Sequence, residues 1–285
     1  MVLRSYRTQV LLGHLILHAI LIAGSVMMLI PLAWTISTSL KTMQQIAVWP
    51  PEWIPNPVMW RNYIEVFQAA PVTLWLRNSL VIVAANVIGS VITCSFVAYG
   101  FARVQFPGRD ALFLLLLSTL MMPYIVRLIP LYVIYNQIGW INTFLPVTIP
   151  QLLGRNPFFI FLLRQFFRGI PFELSDAARI DGCSEFGIWW RIVLPLSKPA
   201  LAAVTIFAFR DSWDNFLAPL IYMAGRPDLR PLAVGLYTLR GGGGQLPDTH
   251  YLMALSTLMI IPMLVIFALG QRYFIQGVTI SGLKG

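Results

Sequence analysis

The sequence predicts an all-α polytopic membrane protein with six transmembrane helices. Hydrophobic residues make up 58% of the 285 positions and charged residues only 11%, well below the roughly 25% charged residues of an average soluble domain. Several stretches also reach the length of about 20 apolar residues that a helix needs to cross a bilayer core. Together these observations predict one integral membrane domain without a soluble enzyme attached.

Six apolar stretches are long enough to be spans. In chain order they cover residues 10–36, 74–102, 111–136, 143–165, 200–223 and 250–274. Each is predicted to be a helix because backbone amides in lipid must be hydrogen-bonded within their own segment. No stretch shows the alternating polarity of a membrane β-strand. The fourth span is interrupted by Pro150 and by the run Gly154 to Pro157, which indicates that protein or a cavity surrounds it.

The basic residues orient these spans. With six crossings both termini lie on one side, and that side collects more of the 20 Lys and Arg residues than the opposite side does. The positive-inside rule therefore places both termini in the cytoplasm. The same distribution accounts for the net charge of +9 without a nucleic-acid partner. The N-terminal apolar run is too long for a signal peptide, so we expect it to stay attached as the first span.

Two regions of the chain differ in character. Residues 1–70 hold the first span and an outer loop rich in Pro and Trp, and residues 71–285 hold a core of five spans. This core includes an inner loop at about 170–199, a second outer loop and a C-terminal tail on the inner side. The second outer loop contains Gly241, Gly242, Gly243 and Gly244, whose missing Cβ atoms allow close approach of a partner to the backbone.

The inner loop, between the fourth and fifth spans, is predicted to form two short helices. Pro171 suits a first helical position, and Glu173 favours the positive N-terminus of the helix that follows. Gly182 supplies a stop, and Ser184 is a suitable N-cap for the second helix. Pro195 is expected to break that second helix before the fifth span.

One face of the first short helix carries residues at the helical spacing of three and four, namely Leu174, Ala177, Ala178 and Asp181. The small alanines permit close packing against a groove of another protein. The same amphipathic pattern is also typical of a helix that lies on lipid headgroups. Periodicity alone does not choose between these two interpretations.

The residues of the inner loop resemble a known motif. The run Asp176-Ala177-Ala178-Arg179-Ile180-Asp181-Gly182 is followed, after nine residues, by Ile192-Val193-Leu194-Pro195. It is similar to the EAA loop of binding-protein-dependent ATP-binding cassette (ABC) importer permeases, in which EAA, three residues, a glycine, nine residues and I-x-L-P follow one another. The spacing matches throughout, and the resemblance covers roughly residues 70–285.

The resemblance implies a type I ABC importer permease fold and a coupling helix that docks into a cleft of a separate ATPase. It assigns this coupling to Glu173, Asp176, Ala177, Ala178, Asp181, Gly182, Leu194 and Pro195. The chain departs from the motif at Asp176, where the family usually has Glu. A salt bridge to the ATPase would therefore be weaker, or would come from Glu173 or Asp181.

Two further passages resemble the carbohydrate-uptake branch of this family, specifically the maltose-type second permease. The run from Trp213 to Leu220 is similar to W-N-D-F-L-x-P-L with Asp and Asn exchanged, and the run from Tyr273 to Gly285 is similar to the C-terminal tail of the branch. In the branch this tail reaches between two ATPase subunits, which implies that role for Gln276, Gly277 and Lys284. The second outer loop of the branch can enter the binding protein, a role that Gly241 to Gly244 would suit.

Several polar residues lie inside apolar spans, where a central charge costs about 2.5–3.5 kcal/mol even on lenient scales. We predict that they face protein or water as candidates for a translocation pathway: Arg127, Arg155, Asn156, Arg210, Asp211, Trp213, Asp214 and Asn215. Trp213 could stack on a sugar and Asn215 could hydrogen-bond to it. Internal ion pairs such as Arg210 with Asp214, snorkelling near the interfaces and ordinary packing of Trp213 are open alternatives.

No catalytic constellation, metal cluster or phosphate-binding loop is visible in the sequence. We therefore expect a transport subunit that is not an enzyme and binds no cofactor, with ATP and Mg on a partner ATPase. The implied partners are a second homologous permease, a dimer of ABC ATPase subunits, an extracytoplasmic solute-binding protein, a sugar and the lipid bilayer of a prokaryotic cytoplasmic membrane. Glycerol 3-phosphate or another polar solute is the alternative cargo, and a secondary transporter is the alternative class.

Overall fold

The computed structural model describes the backbone of residues 2–240 and 248–282, and the side chains of residues 12–240 and 248–271. Within these ranges every regular element is a helix, which confirms the all-α prediction. Long apolar runs favour helices in a membrane because a helix satisfies its backbone hydrogen bonds within one segment.

The helices fall into two compact units, of which the first comprises residues 1–70 and 238–260. It contains α1 (Val2–Ser39), α2 (Met43–Ile46), α3 (Asn62–Ala69) and the first residues of the last helix. The Asn62 amide donates to the carbonyls of Ser39 and Lys41 at 2.8 and 2.9 Å. Lys41 is 1% exposed, and its ammonium lies 4.1 Å from the centroid of the Trp34 ring. These partners matter because an unpaired buried polar group costs about 1–3 kcal/mol.

The second unit comprises residues 71–237 and 261–285. It begins with a long helix in which α4 (Val72–Gly89) and α5 (Ser95–Arg103) are joined by a π-helical turn at Ser90–Cys94. The next helices are α6 (Arg109–Ser118), α7 (Tyr124–Gln137), α8 (Leu145–Leu152), α9 (Pro157–Arg168), α10 (Glu173–Ile180), α11 (Glu185–Ile188), α12 (Leu194–Leu196), α13 (Lys198–Trp213), α14 (Leu217–Tyr222) and α15 (Leu232–Leu239). A second π-helical turn lies at Trp189–Val193, and 3-10 turns lie at Thr119–Met121 and Pro227–Leu229. The last helix is α16 (Thr249–Gly282), whose residues from 261 onward belong to this unit.

The core of the second unit lies where α5, α9 and α13 meet. Its most buried residues, each at most 2% exposed, include Ala98, Phe159, Leu163 and Val204. Close packing of this kind holds helices together in lipid, where the hydrophobic effect between helices is absent. Gly89 allows α8 to approach α4 as well, because a Cβ there would lie 2.9 Å from the Leu152 Cα.

Three described helical segments are long and apolar enough to cross a membrane: Leu12–Ser39, Val72–Arg103 and Thr249–Gln271. Two helix pairs also qualify if each pair is counted as one bent span. Arg109–Met121 and Tyr124–Gln137 are bent by 100°, and Glu185–Leu196 and Lys198–Trp213 by 84°. The described residues therefore hold three to five candidate spans by length and composition.

Two of the predicted spans, 111–136 and 200–223, are not the continuous helices that the sequence suggested, whereas the interruption predicted in the fourth span is present. Residues 111–136 were predicted as one helix, which was wrong because the chain turns at Pro123, where proline supplies no amide to continue the helix. Residues 143–165 are divided into α8 and α9 around Gly154, whose φ is +71°. Residues 200–223 are divided after Trp213 into α13 and α14.

Candidate functional site

The inner loop forms the two short helices predicted, α10 and α11. After α10 ends, Gly182 adopts a φ of +79°, a left-handed conformation that glycine reaches without steric cost. Ser184 then caps α11 by accepting a hydrogen bond from the Gly187 amide at 3.2 Å. The stop at Gly182 and the cap at Ser184 are confirmed, while α10 begins at Glu173 rather than at Pro171.

The outward face of α10 and the turn that follows it carry most of the residues that were predicted to contact another protein. The exposed members are Glu173, Asp176, Ala177, Asp181 and Gly182. Ala178, which was expected on the same face, is only 9% exposed and packs in the core of the second unit. The two alanines therefore serve different surfaces, since Ala177 faces outward and Ala178 lets α10 lie close to the core.

Large apolar side chains are exposed around both short helices. Ile180 is 87% exposed, Phe186 60% and Trp190 55%. The rings of Phe186 and Trp190 are stacked, with centroids 6.5 Å apart and planes inclined by 6°. Exposed apolar residues that are grouped in this way mark a contact surface for a protein or a membrane.

Three charged residues join the two short helices. Arg179 contacts Asp176 at 2.7 Å and Glu185 at 2.8 Å, so its guanidinium bridges α10 and α11. The hydrogen bond from Arg179 lowers the pKa of Glu185 and raises the pKa of Arg179, because each group stabilises the charged form of the other. Tyr99 on α5 donates its hydroxyl to the same Glu185 carboxylate at 2.5 Å. This network connects the inner loop to the long helix.

Arg103, one turn beyond Tyr99 on α5, contacts the start of the inner loop. Its Nη2 donates to the Ile170 carbonyl at 2.6 Å, and its Nη1 donates to the Pro171 carbonyl at 3.4 Å. Its guanidinium also lies 4.3 Å from the centroid of the Phe172 ring, and Arg103 is 3% exposed. Sequence reasoning missed Tyr99 and Arg103 because their partners are far away in the chain. The sequence offered one local indication: Tyr99 and Arg103 are four residues apart, and therefore on one helix face, at the polar end of an apolar helix.

Leu194 and Pro195, the end of the predicted motif, lie in α12. Leu194 is half-buried and Pro195 is exposed. The helical path from Glu185 ends at Leu196, one residue after Pro195, and α13 then leaves at 84°. The predicted break before the fifth span is therefore present, although Pro195 itself lies in the last helical turn. Pro195 lies two residues after the end of the π-helical turn, where the regular pattern of hydrogen bonds is already interrupted and its missing amide costs less.

Two of the pathway candidates, Arg127 and Arg155, line the same cavity of about 390 Å³. The cavity lies beside the turn between α6 and α7 and the interruption between α8 and α9. Asn156 has a different role in the structure, since its side chain caps α9 by accepting hydrogen bonds from the amides of Phe158 and Phe159 at 3.1 and 3.4 Å. The structure therefore brings the two arginines together and uses Asn156 to start a helix.

The other pathway candidates lie at or just beyond the C-terminal end of α13. Arg210, Asp211 and Asp214 are exposed and Asn215 is half-buried. Trp213 is 2% exposed, and its ring stacks on that of Phe209 with centroids 5.6 Å apart. Within the described ranges no ion pair joins Arg210 to Asp214. In this structure Trp213 packs inside the protein, and its polar neighbours remain accessible.

Some predicted site residues lie outside the described part of the chain. These are Gly241, Gly242, Gly243, Gly244 and Lys284. Gln276 and Gly277 belong to the backbone of α16, but side chains are described only as far as Gln271. The contacts expected for the glycine loop and for the C-terminal tail stay predictions.

Comparison with known proteins places these features in a family. The family described as "Binding-protein-dependent transport system inner membrane component" matches residues 58–280, which include the inner loop and the cavity. The arabinooligosaccharides transport system permease protein AraQ of Halalkalibacterium halodurans is 39% identical over 232 residues, 81% of each chain. The sn-glycerol-3-phosphate transport system permease protein UgpE of Yersinia enterocolitica is 32% identical over 271 residues, which cover 93% of this chain and 95% of UgpE.

A solved structure has the same fold. It is the crystal structure of a bacterial ABC transporter involved in the import of the acidic polysaccharide alginate. One of its chains matches with a TM-score of 0.81 at 21% identity, over 91% of this chain and 95% of that chain. Since the family match covers most of the sequence and the inner loop has the geometry expected from its motif, this chain belongs to the family of binding-protein-dependent transport system inner membrane components.

Proposed function

We propose that this chain is the permease subunit of an ABC importer that takes up a sugar across the prokaryotic cytoplasmic membrane. It works with a second homologous permease, two copies of an ABC ATPase and an extracytoplasmic solute-binding protein. Family membership supports the import system, and the arabinooligosaccharide permease among the relatives supports a sugar cargo. ATP and Mg are bound by the ATPase, so hydrolysis takes place on a partner chain.

In this proposal the chain crosses the membrane six times with both termini in the cytoplasm. The three long segments Leu12–Ser39, Val72–Arg103 and Thr249–Gln271 supply three crossings, and the pairs α6–α7, α8–α9 and α13–α14 supply the others. The helix Glu185–Leu196 then follows the inner surface, at 84° to α13. Breaks within the pairs suit a transport pathway, because irregular backbone at membrane depth is tolerated where it is buried in protein or lines a cavity.

The observation that carries the proposal is the coupling between an exposed loop surface and a membrane helix. α10 presents acidic residues outward, while Tyr99 and Arg103 fasten the loop to α5. When the ATPase subunits close on ATP, α10 moves with them. α5 follows because Tyr99 and Arg103 bond to the loop at 2.5 and 2.6 Å. This movement turns the cavity outward as the binding protein releases its cargo.

The charges on α10 have different tasks in this mechanism. Asp176 is already paired with Arg179, so its carboxylate holds the loop together. Glu173 and Asp181 are exposed and form no ion pair among the described residues, which leaves them to contact basic groups of the ATPase. Because Asp176 pairs within its own helix, a short acidic side chain is sufficient there: Arg179 lies only one turn away.

The remaining predicted contacts belong to the same proposal. The tail with Gln276, Gly277 and Lys284 extends toward the ATPase dimer, and Gly241 to Gly244 contact the binding protein. The polar end of α13 contributes to the translocation pathway. The alternative cargo is glycerol 3-phosphate or another polar solute, in keeping with UgpE among the relatives.

The proposal is tested by replacing Gly182 with leucine. A Cβ at Gly182 meets no atom within 4 Å, so the new side chain would project from the loop without disturbing its packing. The matched control is Gly108→Leu, because Gly108 has the same φ of +79°, equally open surroundings and a position at the start of α6, on the same side of the membrane in the proposed topology. Both variants carry a backbone cost of about 1–2 kcal/mol, so they differ only in the surface that is blocked.

We expect Gly182→Leu to abolish copurification of the ATPase and ATP-driven uptake in proteoliposomes. Gly108→Leu should retain both. Equal uptake by the two variants would contradict the coupling role of the inner loop.

A further inference from the structure

The cavity shared by Arg127 and Arg155 has an unusual composition for a membrane segment. Apart from the two guanidinium groups, its walls are apolar or aromatic, with Met122, Pro130 and Tyr135 among them. The Arg127 Nε is buried without a hydrogen-bond partner. A charged side chain inside an apolar span is costly, and its usual justification is a functional partner.

No acidic residue of the described chain neutralises these two charges. None of the ion pairs among the described residues includes Arg127 or Arg155. The sequence contains no Asp or Glu at all between Asp110 and Glu173, the region that builds the cavity. The positive charge of the cavity is therefore uncompensated within this part of the protein.

Two helix N-termini add to the same positive field. α7 starts at Tyr124, so Arg127 lies in its first turn, and α9 starts at Pro157, directly after Arg155 and its cap Asn156. Neither helix has an acidic residue in its first turn. A helix N-terminus carries the positive end of the helix dipole, and broken helices in transporters direct such ends toward anionic groups of a substrate.

We propose that this cavity binds an oxyanionic group, a carboxylate, phosphate or sulfonate, carried by the transported solute. Two guanidinium groups bind such a group bidentately, and the apolar and aromatic walls accommodate the uncharged remainder of the solute. A neutral sugar would leave both charges uncompensated. The inference rests on the proposed transport function and specifies the charge of the cargo.

Direct binding tests the inference independently of transport. The complete complex is reconstituted in phosphatidylcholine nanodiscs, and binding of radiolabelled inorganic phosphate is measured with glycerol 3-phosphate and glycerol as competitors. We expect saturable binding that glycerol 3-phosphate displaces and glycerol does not. Arg127→Gln and Arg155→Gln should each weaken binding about tenfold or more, since each removes charge-assisted hydrogen bonds.

The control variants separate charge from folding. Arg127→Lys and Arg155→Lys keep the charge and should bind more tightly than the Gln variants, and Arg77→Gln, on α4 outside the cavity, should bind as the unaltered protein does. Absence of saturable phosphate binding, or equal binding by all variants, would overturn the inference. So would loss of the second permease from the Gln variants on purification, because the arginines would then pair with a carboxylate of that subunit.

A further arm distinguishes the solute from a lipid. Phosphatidylglycerol is added to the nanodiscs, and retained lipid is identified by mass spectrometry. If this lipid displaces phosphate and is lost from both Gln variants, the cavity holds a lipid headgroup, and the assignment to cargo is refuted. Stimulation of the ATPase by the binding protein is measured on the same complexes. It tests the importer assignment separately, so failure of the proposed function is distinguishable from failure of the anion site.

Discussion

Arg103 joins α5 to the start of the inner loop through the carbonyls of Ile170 and Pro171 and the ring of Phe172. Arg103→Met keeps a long side chain but removes the donors to two carbonyls and the cation over Phe172. Only the bond to Ile170, at 2.6 Å, is short; such a bond from a charged donor contributes about 1.5–3 kcal/mol, and the cation–π contact about 0.5–1 kcal/mol. We therefore expect the free energy that holds the loop on α5 to fall by about 2–4 kcal/mol, which corresponds to roughly 30- to 1,000-fold more frequent opening.

Hydrogen–deuterium exchange of the assembled complex in nanodiscs measures this opening. Amides of residues 172–182 should exchange faster in Arg103→Met, whereas those of α9 should not change. Arg103→Lys keeps the charge but has one donor nitrogen in place of the two that bond to Ile170 and Pro171, so it should be intermediate. In the same variant series, the variants whose loop opens more often should take up less solute per ATP hydrolysed. Unchanged exchange in the loop of Arg103→Met, or an equal increase in α9, would refute the role of Arg103.

Two other predictions concern packing and pH. Gly235→Ala should destabilise the protein by about 1–3 kcal/mol in thermal unfolding, because the new Cβ would lie 2.2 Å from Trp75 Cδ2. The control is Gly100→Ala, whose Cβ meets no atom within 4 Å and which should change stability by no more than about 1 kcal/mol. Equal unfolding temperatures would refute the close contact. The second prediction follows from the pKa of Glu185 in the folded protein, which lies below its ordinary value of 4.5 because Arg179 donates a hydrogen bond to the carboxylate. The contribution of Glu185 to the stability of the loop is therefore complete above pH 4.5. It is lost as the pH falls through the lower folded-state pKa. Amide exchange of residues 176–185, corrected for intrinsic rates, should rise in that acidic range, and the same rise in Glu185→Gln would assign it to another group.

Local conformational preferences predicted the inner loop well. Gly182 and Ser184 act as stop and cap because of backbone and side-chain properties that a few neighbouring residues determine. Prolines were less informative. Pro31 and Pro130 lie inside helices, whereas the chain turns at Pro123. Neighbouring helices decide whether the missing hydrogen bond at a proline is tolerated, and a sequence window does not contain them.

The candidate functional residues show the same limit at longer range. Arg127 and Arg155 were each predicted as pathway candidates from their cost in an apolar span, but their shared cavity depends on the 100° bend between α6 and α7. The contacts of Arg103 with Ile170 and Pro171 join parts of the chain that no short motif connects. Residue chemistry identified the charged candidates, and only the packing of the helices determined which of them lie together.

The π-helical turn at Ser90–Cys94 sets the rotational phase of the helix that reaches the inner loop. A π turn contains one residue more than an α turn, so it takes up that residue without rotating the helix that follows, whereas each residue of an α-helix adds a rotation of about 100°. If the same residues formed a regular α-helix through Ser90–Cys94, Tyr99 and Arg103 would be rotated by about 100° away from the loop. Deletion of one residue between positions 90 and 94 would therefore replace the π turn by an α turn and leave both side chains aimed at the loop, whereas a change of the π turn to α without a deletion would turn both of them away.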